Sequence, residues 1–327
     1  MRPFGDFDLR VDAWDVEYGA GMNVEEIEQA TGLDVKTDVE VSGRWHPITP
    51  SPTARARRFA FVDGVRRVDV RVHDVRAGKV VYGAFGSLAV GGVVLEDGEP
   101  ARFEEPVVER LLVLGSGQRV PATVTITDAL AYEPHSTDNS EADGPLTAVQ
   151  HAMLRAEASY VKWLAERFDG IVIEDGPLTY DSPRGQVLGY VKRLLRFHVG
   201  PDEQAVIPRL AVGQRSPLFV LGSNAFARYS WFLRLADPAP GGSPFSACVR
   251  MEVDDSIGLE PARHLADATA LALPALAPGR HRDPRAPQNL YPIGALEGHL
   301  RRRLGDQRLV RRHIEGLIAR GVDRGTS

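Results

Sequence analysis

The spacing of apolar and polar residues changes along the chain, and each spacing predicts a type of element. Between residues 59 and 115, apolar runs and alternating stretches are separated by Gly, Asp and Glu. A period of two is typical of strands that bury one face. We therefore predict three or four consecutive antiparallel strands, in RFAFVDGVRRVDVRVHDV, where a short strand runs into Asp63-Gly64, and in VVYGAFGSLAVGGVV and VVERLLVLG.

Helical spacing is clearest in residues 146–168, where apolar residues recur every three or four positions. Thr147 is the predicted N-cap, with Gln150 three residues later. The polar, turn-rich segment 131–146 is predicted to be a surface loop. The elements predicted after residue 168 are a strand at 170–174, a helix from near Gln186, strands at 217–222, 229–236 and 246–253, and helices at about 261–276, 292–304 and 307–320.

The first part of the chain has weaker patterns. Residues 8–19 and 36–42 are predicted to be short strands, with a small helix near 24–30. The proline-bearing, basic segment 46–58 is predicted to be a linker or an exposed loop. We expect residues 1–50 to form an N-terminal extension of unassigned role and residues 51–327 to form the main domain.

Composition limits the classes of function. The chain has 327 residues, 43% of them hydrophobic, and a formal net charge of -5 at pH 7. This charge argues against a uniformly basic nucleic-acid coat but leaves a local basic groove open. The single cysteine, Cys248, excludes an intramolecular disulfide, and no Cys/His cluster has zinc spacing. With no signal peptide or long apolar run in the sequence, we expect a cytoplasmic protein without a membrane partner.

Acidic residues follow two short apolar runs. Asp63 follows FAFV and Asp175 follows IVIE, and each precedes a glycine. If the two strands are neighbours, the aspartates lie side by side, and Glu157 on the preceding helix can join them. Three such carboxylates would bind Mg²⁺ or Mn²⁺, because like charges resist joint ionisation without a cation. Singly, the aspartates are also compatible with turn residues and Glu157 with a solvated helix carboxylate.

Polar residues elsewhere have two interpretations each. His299 is a candidate metal ligand or water activator, or a surface histidine beside a basic run. Lys192 is a candidate phosphate ligand or a solvated lysine. Arg250 and Glu252 alternate on one face of a predicted strand, which indicates either a structural ion pair or a position beside the acidic site. Further candidates on the predicted helix at 292–304 and just before it are Tyr291, Arg301, Arg302 and Arg303.

The ordered motifs FVDGV, MLRAE, IVIEDGPL, GYVKR, VRMEV and NLYPIGALEGH resemble those of the NurA nuclease family over roughly residues 59–303. The resemblance implies an α/β, RNase H-like mixed sheet flanked by helices, with N-terminal and C-terminal additions. It also implies a Mn²⁺-dependent (or Mg²⁺-dependent) nuclease that acts on DNA ends, forms a homodimer and works with the hexameric HerA ATPase.

Carried onto this chain, the resemblance makes Asp63, Glu157 and Asp175 the acidic ligands and adds Tyr291 and His299 to the catalytic set, His299 also as a metal ligand. Lys192, Arg250, Arg301 and Arg302 become the expected substrate-binding residues. Two departures stand out. Val65 replaces the serine that usually follows the first Asp-Gly, and the long interval before Glu157 leaves Asp128 or Glu133 as alternative third ligands.

The predicted function is DNA-end processing in repair or defence, as a 5′-to-3′ exonuclease with endonuclease activity. Two alternatives stay open at this point. One is a catalytically inactive RNase H-like scaffold for an ATPase partner, and the other is a different metal-dependent phosphohydrolase. A P-loop motor is excluded because GxxxxGK[ST] does not occur in the sequence.

Overall fold

The computed structural model describes residues 3–12, 34–75, 79–179, 182–185, 187–223, 226–238, 240–279 and 285–323. They form a mixed α/β fold in which one large, mostly antiparallel sheet is flanked by helices. The strands are β1 (Leu9–Val11), β2 (Asp34–Lys36), β3 (Arg58–Asp74), β4 (Val81–Glu96), β5 (Arg102–Phe103), β6 (Val107–Leu114), β7 (Val124–Thr127), β8 (Leu130–Ser136), β9 (Ile171–Asp175), β10 (Val187–Val191), β11 (Phe219–Ser223), β12 (Phe226–Arg234) and β13 (Cys248–Asp254). The α-helices are α1 (Gly144–Ala165), α2 (Pro201–Gln204), α3 (Leu259–Ala272), α4 (Tyr291–Arg303) and α5 (Gln307–Asp323).

The long strands β3 and β4 form the centre of the sheet. They pair antiparallel along nearly their whole length, and β6 adds antiparallel to β4. On the other side of β3, β9 pairs parallel, and β10 pairs parallel to β9. The predicted antiparallel strands, the helix after them and the strand that follows it are confirmed, and that strand, β9, is parallel to β3. The full strand order is β2-β11-β12-β13-β10-β9-β3-β4-β6-β8-β7, with β1 on β3 and β5 on β4.

Three predicted elements are wrong in whole or in part. The strand expected at 36–42 is instead β2, which ends at Lys36, and residues 37–42 form no strand. The segment 131–146 is not all loop, because β8 pairs parallel to β6 and buries alternate residues despite Pro134. The helix expected from near Gln186, a residue outside the described part of the chain, is the strand β10. Its five residues are all buried between β9 and β13. Gly189 allows this packing, since a Cβ there would lie 2.8 Å from the Leu178 nitrogen.

Most other elements agree with the pattern. The helix predicted at 146–168 is α1, which begins slightly earlier, so that Asp143 rather than Thr147 is its N-cap. The later strands and helices are confirmed as β11 to β13 and α3 to α5. The helix predicted near 24–30 lies outside the described residues. None of the helices in the described ranges is both long and apolar enough to cross a membrane.

The N-terminal strands join the same sheet as the rest of the chain. Strand β1 pairs antiparallel with the far end of β3, and β2 pairs antiparallel with β11. Arg215 strengthens the second connection, because its guanidinium contacts the Glu40 carboxylate at 2.9 Å and Asp267 at 2.6 Å. The described residues before position 51 are therefore part of the main sheet's packing.

Side-chain alternation assigns helices to the two faces of the sheet. On β3, Phe59 and Phe61 pack in the cluster that includes α3 and α4. Ala60 and Val62 point the other way, into the cluster with α1. Helix α5 covers the same face as α4, over the far ends of β3 and β4. Phe85, which packs with α5, lies an even number of positions from Ala89 and Val93, which face α4, so all three point to one side of β4. Asp63 consequently faces α4.

A buried polar network fixes the C-terminal end of α4. Asp69 is fully buried and accepts hydrogen bonds from Arg67 (2.7 Å) and Tyr132 (2.8 Å). Arg67 and Arg110 also donate to the Leu304 carbonyl, at 3.0 and 3.3 Å. Cations at this position satisfy free carbonyls and complement the helix dipole. The network holds α4 against the sheet.

We expect Gly86→Ala to destabilise the fold by about 1–3 kcal/mol, because a Cβ there would lie 2.5 Å from Val149 of α1 and push the helix away from β4. Urea denaturation followed by circular dichroism measures the loss. The control is Gly279→Ala, at an exposed glycine where a Cβ meets nothing within 4 Å. It should change the free energy of unfolding by less than about 0.5 kcal/mol. Equal effects would contradict the close packing of α1 on Gly86.

Candidate metal centre

Parallel pairing of β9 with β3 brings two aspartates together. The register pairs Phe61 with Ile173 and Val62 with Glu174, so the next positions are Asp63 and Asp175. The sequence suggested a turn at Asp63, but the chain does not turn there. Strand β3 continues to Asp74, and only β9 ends at this level. The site therefore lies where β3 loses its parallel neighbour.

Helix α4 supplies a third carboxylate. It packs on the sheet through Ile293, Leu296 and Leu300, and Glu297 lies on the same buried side. Asp63, Asp175 and Glu297 each offer an oxygen, and these oxygens lie within 4.8 Å of one another. Such a set of hard ligands suits Mg²⁺ or Mn²⁺.

Two protein cations contact these acids. The Lys192 Nζ lies 2.5 Å from Asp175 Oδ2, 2.7 Å from Asn289 Oδ1 and 4.0 Å from Glu297 Oε1. The two Nη atoms of Arg285 donate to the two Glu297 oxygens at 2.7 and 2.8 Å. Lys192 directly follows β10, the strand found where a helix was predicted. Strand β10 therefore positions this ammonium group. The contacts balance part of the negative charge of the cluster.

Glu157 approaches β3 from the opposite face. It projects from α1 toward Gly64, where an added Cβ would lie 3.3 Å from Glu157 Oε2. The side chain is only 8% exposed, and its Oε1 has no hydrogen-bond partner among the described residues. Glu157 is close enough to Asp63 for strong electrostatic repulsion, but it is not one of the three acids whose oxygens lie within 4.8 Å.

Burial and mutual repulsion raise the pKa values of the clustered acids. Burial, followed by the charge of Asp175, raises the pKa of Asp63 well above its usual value. Burial and the charges of Asp63 and Glu174 do the same for the pKa of Glu157. Burial also raises the pKa of Asp175, although Lys192 opposes the shift. A bound cation would favour the ionised forms of these acids, so a site with this much mutual repulsion suits metal binding.

Glu174 is a further buried acid beside the cluster, on the α1 side of β9. Burial raises its pKa to about 7, although Ser182 donates a hydrogen bond to it at 2.6 Å. It contributes to the repulsion that Glu157 experiences. The carboxylates are thus divided between the two faces of the sheet, with Glu157 and Glu174 on one side and the three clustered acids on the other.

The structure does not bring Arg250 to the acidic cluster. Arg250 and Glu252 are fully buried, and the Arg250 Nε lies 3.1 Å from Glu252 Oε1. They project from β13 on the face opposite to Met251, which packs in the α3 and α4 cluster. Of the two interpretations, the structural ion pair is the one observed. The alternative third ligands Asp128 and Glu133 lie in the β7–β8 hairpin, separated from β3 by β4 and β6.

His299 also lies away from the clustered carboxylates. Its ring stacks on Phe103, with centroids 4.5 Å apart and an interplanar angle of 8°. Desolvation, followed by the charges of Arg303 and Arg302, lowers the pKa of His299. Because His299 lies two positions after Glu297 on α4, it points about 200° around the helix from that acid.

The remaining predicted residues lie along α4. Tyr291 is its first residue and is 44% exposed. Arg301 is exposed, with its Nη2 3.7 Å from Glu297 Oε2. Arg302 is exposed beside His299. Arg301 is therefore in contact with a clustered acid.

Sequence reasoning missed Glu297, Arg285 and Asn289. The signal for Glu297 was present, because it follows Ile293 by four residues and precedes Leu300 by three, which places a carboxylate on the apolar side of the helix. Arg285 and Asn289 lie in a segment before α4 without helical or strand spacing, so nothing in the pattern pointed to them.

A scan against protein-family models gave no match, and a search of curated proteins gave none either. Support for a function of this chain therefore comes from the geometry of its own residues and from the motifs of its sequence.

The raised pKa of Glu174 predicts how stability depends on pH without metal. The folded state retains this proton up to pH 7, whereas the unfolded chain releases it near 4.5, so the free energy of unfolding falls as pH rises through this window. In Glu174→Gln, the decrease in the free energy of unfolding over this pH window should be smaller by up to about 3 kcal/mol. Urea denaturation in EDTA at a series of pH values tests this. Exposed Glu141→Gln is the control, and parallel profiles for Glu174→Gln and wild type would contradict the assignment.

Lys192→Met removes the ammonium group that contacts Asp175 and Glu297. We expect a lower melting temperature in EDTA, because buried carboxylates lose their counter-charge. We also expect Mn²⁺ to raise the melting temperature more than in wild type, because the ion replaces the missing charge. Scanning calorimetry with and without Mn²⁺ measures both effects. Lys162→Met, on the exposed side of α1, is the control. An unchanged Mn²⁺ effect in Lys192→Met would exclude a metal site beside this residue.

Proposed function

We propose that the protein is a metal-dependent DNA nuclease of the NurA type. The observation that carries the proposal is the convergence of Asp63, Asp175 and Glu297 within 4.8 Å, from two parallel strands and a packed helix. Carboxylates in this arrangement hold the divalent ions that many phosphodiester hydrolases use. The raised pKa values of Asp63 and Asp175 add support, since perturbed acids concentrate at functional sites.

We also propose that the central sheet is RNase H-like. The strand order β6-β4-β3-β9-β10, with β9 parallel to β3 and α1 before β9 in the chain, supports this assignment. In this view, strands β11 to β13 and β2 extend one side of the core, and β7 and β8 extend the other. Helices α4 and α5 belong to the C-terminal addition, so the third carboxylate comes from outside the core.

The side chains have distinct roles in the proposed reaction. Asp63, Asp175 and Glu297 would hold Mn²⁺ or Mg²⁺, which when bound supplies Lewis acidity toward the phosphodiester and activates water. Lys192 and Arg285 lie beside these acids and present cations to an approaching phosphate. Glu157, buried and with a raised pKa, is placed to hold or release a proton next to Asp63.

Other parts of the proposal depend on the resemblance of the sequence motifs. They are DNA ends as the substrate, a preference for Mn²⁺, 5′-to-3′ exonuclease action with endonuclease activity, a homodimer, a HerA-type hexameric ATPase partner and a cytoplasmic location. Tyr291 and His299 stay in the proposed catalytic set as residues for substrate contact. The role of His299 as a metal ligand has no support from its position against Phe103.

One observation favours a second candidate, a non-catalytic scaffold. Lys192 already contacts Asp175, and Arg285 holds both oxygens of Glu297. A site that had lost its metal would be stabilised by such internal cations. The two candidates differ in whether Mn²⁺ displaces these contacts, so metal binding separates them.

Substitution of the clustered acids tests the nuclease proposal. Asp63→Asn and Asp175→Asn should abolish cleavage of end-labelled DNA in Mn²⁺, and Glu297→Gln should lower it by at least about 100-fold, because each change removes a ligand charge. Asp169→Asn is the matched control, since this aspartate lies just before β9 and is fully exposed. Reactions in EDTA give the metal-free baseline, and the product ladder gives the polarity.

Each result has a distinct meaning for the candidates. Metal-dependent cleavage retained in both Asp63→Asn and Asp175→Asn would exclude this site. A wild-type protein that neither cuts DNA nor binds Mn²⁺ in titration calorimetry would favour the scaffold. Hydrolysis of mononucleotides or RNA but not DNA would favour a different phosphohydrolase.

A further inference from the structure

The outer surface of α4 and α5 carries a group of arginines, although the whole chain is acidic. We call this group the arginine track. All its members are exposed, and they begin in the last turn of α4 and continue along α5. The chain has a formal net charge of -5, so this positive surface is a local feature. The track consists of Arg302, Arg303, Arg308, Arg312 and Arg320.

The neighbouring acids are already engaged. Glu297 is held by Arg285, and the Asp306 side chain accepts a hydrogen bond from the Leu309 backbone N–H at 2.8 Å. Glu315 pairs with Arg311 at 2.7 Å. Among the side chains that the structure describes, no acid lies within 4.0 Å of a guanidinium of the track. Its positive charge is therefore available to a ligand.

Helix packing turns the track toward solvent. Helix α5 buries Val310, Ile314 and Ile318 against the sheet. At 3.6 residues per turn, the exposed arginines of α5 lie on the opposite side of the helix. Arg308 and Arg312 are one turn apart, and Arg320 lies two turns farther along. At 1.5 Å per residue, the stripe from Arg308 to Arg320 is about 18 Å long. This length exceeds a single phosphate and matches a run of several along a nucleic-acid strand.

The track begins close to the acidic cluster. Helix α4 carries Glu297 on its buried side and Arg303 six residues later, about 9 Å along the axis. Arg301, between them, is already within 3.7 Å of Glu297. The α4 end of the track is therefore less than two helical turns from the acidic cluster.

We infer that the arginine track binds the sugar-phosphate backbone of a nucleic acid and guides the strand toward the acidic cluster. The chemistry of the residues points to phosphate, because guanidinium groups bind phosphate oxygens through paired hydrogen bonds. Residues 285–327 contain no lysine, so the whole surface uses this group. Guidance toward the cluster rests on the proposed nuclease function, but binding does not, and it can be measured without cleavage.

The test is the salt dependence of DNA binding in EDTA. Fluorescence anisotropy of a labelled duplex of about 20 base pairs, at about 50 to 300 mM KCl, gives the slope of log K against log salt. Arg308→Gln/Arg312→Gln should make this slope less negative by about 1.8, and should weaken binding at least about tenfold near 150 mM. The matched control is Arg119→Gln/Arg155→Gln, which removes two exposed arginines near His135, on the α1 side. The control should keep the wild-type slope.

Several outcomes would overturn the inference. They are equal changes of slope in the two double variants, wild-type binding in Arg308→Gln/Arg312→Gln, and wild-type protein that binds vesicles containing phosphatidylserine but not DNA. Circular dichroism and melting temperatures check that each variant is folded. A track-dependent slope without cleavage by any variant would support the track while contradicting the nuclease proposal, so the two can fail separately.

Discussion

The parallel pairing of β9 with β3 is the interaction on which the candidate site depends. Its register places Asp175 beside Asp63 at the level where β9 ends and β3 continues alone. A shift of one residue would turn Asp175 to the α1 face and separate the two aspartates. The apolar residues on either side, Phe61 and Ile173, pack in the α4 cluster and hold this register. The same hydrophobic burial that forms the core therefore positions the acids.

Charge compensation is the second constraint. The cluster concentrates carboxylates in a buried environment, where their pKa values rise and their ionised forms are unfavourable. Lys192 and Arg285 offset this cost in the structure, and a divalent cation would offset it more completely. In the proposed nuclease, Lys192 and Arg285 would both stabilise the metal-free protein and lie beside the approaching phosphate, so metal binding would connect stability to activity. The exposed arginines of α4 and α5 extend this positive charge outward.

Much of the fold follows from local pattern. Spacing in the sequence located β3, β4, β6, α1, β9 and the last three helices, because these elements alternate or repeat clearly. Strand β10 was predicted as a helix, since its four apolar residues and one glycine are compatible with either element. The segment forms a strand because it pairs with β9 on one side and on the other with β13, which is distant in the sequence. Strand β8 was not predicted, because polar neighbours and Pro134 obscure its alternating pattern, and its pairing with β6 is a contact between residues distant in the sequence.

The sequence by itself determined that acids follow two apolar runs and that a third element could add to them. It identified Asp63 and Asp175, because each lies at a recognisable position relative to its strand. Only the tertiary structure decided that Glu297 rather than His299 faces these acids. The two residues are two positions apart in the sequence, which is about 200° around the helix, and which of them meets the sheet depends on how α4 packs. That packing is set by long-range contacts through Ile293, Leu296 and the buried Asp69 network, which no local pattern encodes.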